Sequence, residues 1–413
     1  MSSHAPNTPT AEQIQKLPPF SGGKGAMAAA GGIGAVLLLA TVIAALAADQ
    51  VTAKEAYYSY LVAFAYWAGL AFASTILLQT LHATRARWVT VLRRPIEVMA
   101  ATMPLFLILF IPIALGMKEI YEWVDPPATL GREALERIHH KAPWLNVGFF
   151  VARGFIYVAI ASFVSERLFR MSLRSDSGKE DNWSLLARMR RVASGGLPFV
   201  GLAMTFAAFD WMMSLTPTWF STIFGVYYFA GSFGAALSML AVVTWQAGLK
   251  NVLGGGMNVE HTHSVGKLML AFTAFWTYIA FSQLLLIWIA GLPEEIPFYI
   301  TRFNPGWRGI GIFLIFGHFF LPFGALLSRS LKRTPKQLAA VAVWILLVNF
   351  IDIYWLVMPK LHPEGVSFHW STLTAFIGMG LVAIAFALFR FRGRLPVPAR
   401  DPYISESLRY RQP

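Results

Sequence analysis

Ten apolar runs, each long enough to cross a hydrocarbon layer of roughly 30 Å, recur along this chain at 27–48, 57–81, 96–116, 146–168, 194–215, 220–246, 265–290, 307–327, 338–358 and 370–388. A chain with that pattern has lipid as its solvent. Within lipid the backbone satisfies its own polar groups only as helices or as a closed barrel, and runs of this length without alternation are helices. Composition agrees, with 56% of the 413 residues hydrophobic and 13% charged. The expected fold class is therefore an all-α polytopic membrane protein of ten transmembrane helices. It divides into a tail over 1–26, a membrane domain over 27–388 and a second tail over 389–413. The first run lacks a cleavage-like end and reads as a retained helix. Charged or Pro-containing segments separate nearly every pair of runs. The weakest break is 214–219, where Thr216-Pro217-Thr218 is the only punctuation and predicts a tight hairpin.

Charge placement predicts the orientation. Of the 34 Lys and Arg residues, 25 fall on the side that carries both tails, 8 fall on the other, and Arg153 lies within a run. By the positive-inside rule the richer side is cytoplasmic. The net charge of +13 is spread over these short loops, so it orients a membrane protein and does not imply nucleic acid. No gap between runs exceeds about 30 residues, too short for a separate soluble domain. Cysteine is absent, which removes thiolate zinc sites, iron-sulfur clusters and covalent haem attachment from this chain.

An ionisable group inside a span is costly and points to function. A rise of about 1.5 Å per residue places Arg153, Asp210 and Asp352 at one depth, roughly 8 to 10 Å below the outer ends of their helices. That shared depth predicts a cluster. Arg153 and Asp210 suit a packing salt bridge between the fourth and fifth helices. Asp352 then has no evident cation; it is a proton-transfer carboxyl or a structural Asp bonded to Asn349. His318 is the one histidine clearly within a run, and a bis-histidine haem needs two, so it reads as a proton relay or a backbone-bonded side chain. Gln283 is the outstanding neutral polar group. On the basic side Glu97, which follows Arg93-Arg94-Pro95 as a helix-start carboxylate, and Glu166, which ends the fourth helix beside Arg167, are further proton-transfer candidates, as are Arg153, Asp210 and Gln283. His261 and His263, two residues apart, do not share a helix face and make a poor metal site.

Three strings carry a resemblance. They are His140-Lys141-Ala142-Pro143-Trp144-Leu145-Asn146, then Phe209-Asp210-Trp211-Met212-Met213-Ser214-Leu215 continuing through Trp219-Phe220-Ser221-Thr222-Ile223-Phe224-Gly225, and the stretch 275–293 with Phe281-Ser282-Gln283 and Ile287-Trp288. Together they resemble the F subunit of bacterial alternative complex III, a quinol:cytochrome c or quinol:electron-acceptor oxidoreductase of the respiratory chain. The resemblance runs from about the second helix to Arg400-Asp401-Pro402. It implies an NrfD-like fold similar to the membrane subunit of polysulfide reductase, with four-helix bundles from helices two to five and six to nine, flanked by helices one and ten. It implies as partners an iron-sulfur subunit, c-type cytochrome subunits and a sister ten-helix NrfD-like subunit. Haem c and iron-sulfur clusters would belong to those partners, with quinone or menaquinone as the substrate of the complex and no cofactor held by this chain. The F-like subunit would contribute scaffolding and a proton path in the bacterial inner membrane. His140, Asp210 and Gln283 lie in the matching strings.

Two other classes fit a ten-helix chain: a stand-alone secondary transporter and a purely structural membrane anchor. A transporter favours broken helices at corresponding positions of an inverted repeat. The kink-forming Pro104 and Pro112, and the Leu321-Pro322-Phe323-Gly324 segment, hold no such corresponding places.

Overall fold

The computed structural model describes residues 9–128 and 130–412. Among the described residues ten helices are long and apolar enough to cross a membrane: α1 Lys24–Ala47, α2 Gln50–Ala83, α3 Arg87–Leu115, α4 Val147–Ser177, α5 Asn182–Leu215, α6 Phe224–Leu249, α7 Val259–Ala290, α8 Pro305–Leu327, α9 Pro335–Lys360 and α10 Trp370–Phe391. No strand forms among the described residues; a single parallel bridge joins Gly306 to Gly365. The count matches the ten apolar runs, but several ends move. α2 starts at Gln50, where Asp49 caps the backbone of Val51 and Thr52. α4 continues to Ser177 and α5 begins at Asn182, so most of the basic segment read as a loop is a helical hairpin. Hydropathy ends where lipid ends, whereas backbone hydrogen bonding continues until Gly178 takes a left-handed φ of 64° and Asp181 caps the next helix.

α2 is the hub. It packs on α1, α3, α5, α6, α9 and α10, and 94% of its apolar window is buried. Helices α2 to α5 pack as one group, and α6 to α9 as a second. α1 and α10 pack on each other and on α2, so they sit together on one side of the pair of bundles. Lipid offers apolar side chains no worse an environment than a neighbouring helix does, so close approach depends on small residues. Gly69 of α2 faces α6 so tightly that a Cβ there would lie 2.5 Å from Ser232 Oγ. Gly34 of α1 and Gly378 of α10 oppose each other, with a Cβ on Gly34 falling 2.9 Å from the Gly378 carbonyl.

Two helices are interrupted. α3 breaks into short stretches at Pro104 and Pro112, each of which removes a backbone donor. α8 contains a π-helical turn over Ile315–Phe320 immediately before Pro322. Such turns re-aim one side chain within a continuing helix; here the turn carries His318. The two tails meet on one side, where Phe20 exchanges backbone hydrogen bonds with Gly393 and Arg394 and stacks on Phe391.

Candidate functional site

The outer half of the protein, opposite the tails, holds two carboxylates only 1% exposed, Asp210 and Asp352, in two different bundles; a third, Glu55 at 7%, faces His362 at 2.6 Å. The first is built by the antiparallel pair α4 and α5. Asn146 caps α4, which sets Arg153 two turns inside the helix, and Asp210 lies one residue before Trp211 near the outer end of α5. Arg153 donates through Nε to Asp210 Oδ2 at 2.8 Å and through Nη2 to Oδ1 at 2.9 Å. Trp144 Nε1 at 3.0 Å and the Tyr157 hydroxyl at 2.9 Å complete four donors on two oxygens. The third arginine nitrogen, Nη1, donates to the Trp144 carbonyl at 2.8 Å, and the guanidinium lies 4.0 Å from the Trp144 ring centroid. Charge is thus fully matched, in side chains 5% and 1% exposed. This geometry ties α4 to α5 and gives each Asp210 oxygen two donors.

Asp210 also lines an outer crevice of about 480 Å³ with His140, Lys141, Trp144, Phe209, Pro217 and Phe220. The first two strings of the resemblance therefore meet around one space. His140 is exposed and forms no hydrogen bond or ion pair with Asp210; Lys141 turns inward and donates to the Pro217 carbonyl at 2.5 Å. Burial, with help from Arg137, holds the Lys141 ammonium below its ordinary range.

The second carboxylate, Asp352 of α9, is not part of that cluster, contrary to the expectation from depth. Equal depth fixes height along the membrane normal but not which way a helix face turns, and α9 turns Asp352 into the second bundle. Its oxygens accept from Tyr227 Oη at 2.5 Å and Trp276 Nε1 at 3.1 Å, donors from α6 and α7. Both are neutral, and Asp352 has no cationic partner among the described residues. Asn349 is not its partner either: the Asn349 Oδ1 has none and lies 2.8 Å from where a Cβ on Gly231 would sit. His318 reaches the same place from the π-turn of α8, its ring stacked on Trp276 at 3.7 Å between centroids with Nδ1 unpartnered.

Beside this group lies a cavity of about 440 Å³, lined by Tyr227, Trp276, Tyr299, Trp355 and apolar residues of α7 and α8. Gln283 Nε2 donates to Tyr299 Oη at 3.2 Å, and Ser221 Oγ donates to Gln283 Oε1 at 3.4 Å. Burial pushes the Tyr299 hydroxyl up to about 12. Arg302, one turn further on, is 4% exposed and has no carboxylate partner among the described residues. Its nitrogens donate to the carbonyls of Trp355, Leu356 and Phe298 at 3.2, 2.7 and 2.9 Å. The first two belong to the last turns of α9, so Arg302 caps the negative end of that helix. Burial lowers its guanidinium to about 9.

The α5–α6 hairpin joins the two sites. Ser214 donates to the Asp210 carbonyl, Trp219 stacks on Phe298 at 3.9 Å, and Ser221 reaches Gln283. The hairpin itself is looser than the sequence implies, since α6 starts only at Phe224.

The basic-side carboxylates are held in ion pairs. Glu97 does not start a helix: it lies one turn inside the stretch Arg93–Ala100 and accepts from Arg93 Nε at 3.0 Å and Arg94 Nη1 at 2.8 Å. Glu166 lies well inside the lengthened α4 and pairs with Arg170 at 2.6 Å and with Arg390 of α10, not with Arg167. His261 serves the cap of α7 with Asn258, and no group of three metal-ligating side chains occurs among the described residues. The sequence reading missed Tyr157, Tyr227, Trp276, Tyr299 and Arg302. The aromatics look like ordinary apolar lining until a carboxylate faces their polar atoms, and Arg302 looks like an outer-loop charge.

Compared with known proteins, the chain matches no protein-family model and no curated relative. Its function therefore rests on its own geometry and on the three strings quoted above.

Proposed function

We propose that the chain is a membrane subunit of a quinol:electron-acceptor oxidoreductase of the alternative complex III type. It holds no redox metal of its own, scaffolds the assembly and supplies a proton-transfer carboxyl, Asp352. The carrying observation is the contrast between the two carboxylates. Asp210 is locked by an arginine and two further donors, whereas Asp352 is buried with only two neutral donors. A buried carboxyl without a counter-charge exchanges a proton without breaking an ion pair, which is the property a membrane proton path needs. Tyr227, and then the Tyr299–Gln283–Ser221 set leading to the outer hairpin, supply hydroxyl and amide groups between that carboxyl and the outer surface. His318, stacked on Trp276 with a free ring nitrogen, extends the path inward along α8.

In this reading quinol oxidation takes place in the sister ten-helix subunit, beside the iron-sulfur protein, with c-type cytochromes accepting the electrons. The subunit lies in the bacterial inner membrane with both tails in the cytoplasm, as its basic asymmetry supports. The test is quinol oxidation by the assembled complex in proteoliposomes, followed together with pH on both sides, for wild type and Asp352→Asn. Asn keeps the size and much of the hydrogen bonding but has no exchangeable carboxyl proton. Normal assembly with lost proton movement is expected. Unchanged turnover and unchanged proton movement would make Asp352 a packing residue and the chain a structural anchor.

A further inference from the structure

On the basic side, the α2–α3 turn, the first turns of α5 and the C-terminal segment enclose a pocket of about 100 Å³. His82, Arg85, Arg93 and Arg190 line it, and no carboxylate does. Two of these groups are deeply buried and incompletely bonded. Arg93, 4% exposed, commits Nε to Glu97 at 3.0 Å and Nη1 to Asp401 at 2.7 Å, which leaves Nη2 without a partner. His82, 6% exposed, has an unpartnered Nε2. Buried donors are rarely left without acceptors, because each one loses its water and gains nothing. The neighbouring Arg87 and Arg188 are paired with Glu406 and Glu180, whereas Arg85 and Arg190 have no carboxylate partner among the described residues. Arg85 also holds a left-handed φ of 53°, a conformation that a long side chain rarely adopts. At the rim Trp183 is 58% exposed and stands edge-on to Tyr403, with ring centroids 5.5 Å apart, as aromatics do at headgroup depth.

We propose that this pocket binds a phosphate group, with the guanidiniums of Arg85, Arg93 and Arg190 on its oxygens and His82 Nε2 as a further donor. The favoured source is the headgroup of an anionic glycerophospholipid in the adjacent leaflet, because the rim aromatics put the pocket at the membrane surface and basic pockets between helices take such headgroups. Bidentate guanidinium–phosphate contact suits three arginines better than a lone carboxylate ligand would.

The test uses the full chain, purified in mild detergent, and compares wild type with Arg85→Gly/Arg190→Ala. Glycine suits the left-handed backbone at 85, and neither position breaks an ion pair. Arg93 is left intact because it anchors the C-terminal segment. A charge-matched control, Arg329→Ala/Lys336→Ala, alters the same side away from the pocket. Phosphatidylglycerol and phosphatidylcholine are titrated and bound lipid is read by native mass spectrometry, while inorganic phosphate is followed by thermal shift. The expected result is phosphatidylglycerol binding weakened about 30-fold in the pocket variant, from two lost arginine contacts, with control and phosphatidylcholine unaffected. If inorganic phosphate stabilises wild type but not the pocket variant, while lipid binding is equal in both, the phosphate site stands and its source is the free anion. Equal binding of both probes by wild type and pocket variant, or equal weakening in the control, overturns the proposal.

Discussion

Replacing Asp210 with Asn tests how the first bundle is held. The change leaves the Arg153 guanidinium, whose side chain is 5% exposed, without its counter-charge and removes the acceptor for one of two bonds at 2.8 and 2.9 Å. The new amide nitrogen is itself a donor that faces donors: Arg153 Nη2 and Trp144 Nε1 if it replaces Oδ1, Arg153 Nε and the Tyr157 hydroxyl if it replaces Oδ2. A hydrogen bond to a charged group is worth about 1.5 to 3 kcal/mol net, and breaking a buried pair costs about 3 to 5 kcal/mol because the survivor keeps its desolvation penalty. Removing both charges, as in Arg153→Met/Asp210→Leu, avoids the uncompensated cation. It leaves the Trp144 indole and the Tyr157 hydroxyl without their acceptor, about 1 to 3 kcal/mol for each such buried group, less where water reaches it. The double variant should therefore recover part of the loss. The assay is a double-mutant cycle on the fraction folded after graded heating in detergent, together with the yield of assembled complex. Asp210→Asn as stable as wild type, or a double variant no better than the sum of the singles, would refute the account of Asp210 as an ion-pair partner.

Other expectations follow from the same geometry. Arg302→Met leaves the carbonyls of Trp355 and Leu356 uncapped and should speed hydrogen exchange over 353–360 without affecting α4; unchanged exchange would remove the capping role. Gly69→Ala places a Cβ 2.5 Å from Ser232 Oγ and 2.7 Å from Tyr228 Oη, so the α2–α6 contact should lose about 1 to 3 kcal/mol, read as a lower midpoint of thermal aggregation. Tags at residue 10 and at the C-terminus should both report the cytoplasm and a tag within 126–131 the periplasm; an external C-terminal tag would contradict the proposed orientation. The isolated subunit should show no stoichiometric haem band in its visible spectrum, since it has no cysteine and one histidine deep in the outer-half site.

By itself the sequence determined the number of spans, the side on which basic residues gather and which few ionisable groups sit at membrane depth. Each of these is a local property, summed over a window of about 20 residues against a solvent of fixed thickness. Helix length beyond the apolar window was not legible, because α4 and α5 continue as ordinary polar helices until Gly178 and Asp181 stop them. Nor were the partners. Asp210 meets Arg153 while Asp352, at the same nominal depth, meets Tyr227 and Trp276, because rotation of each helix about its axis is set by how small residues such as Gly69 let neighbours approach. The unpaired state of Asp352, the capping of α9 by Arg302 and the unpartnered donors of Arg93 and His82 all depend on side chains tens to hundreds of residues apart in sequence. Only packing brings such groups together, and in a low dielectric the presence or absence of a partner decides whether a buried polar group is held in an ion pair or left without one.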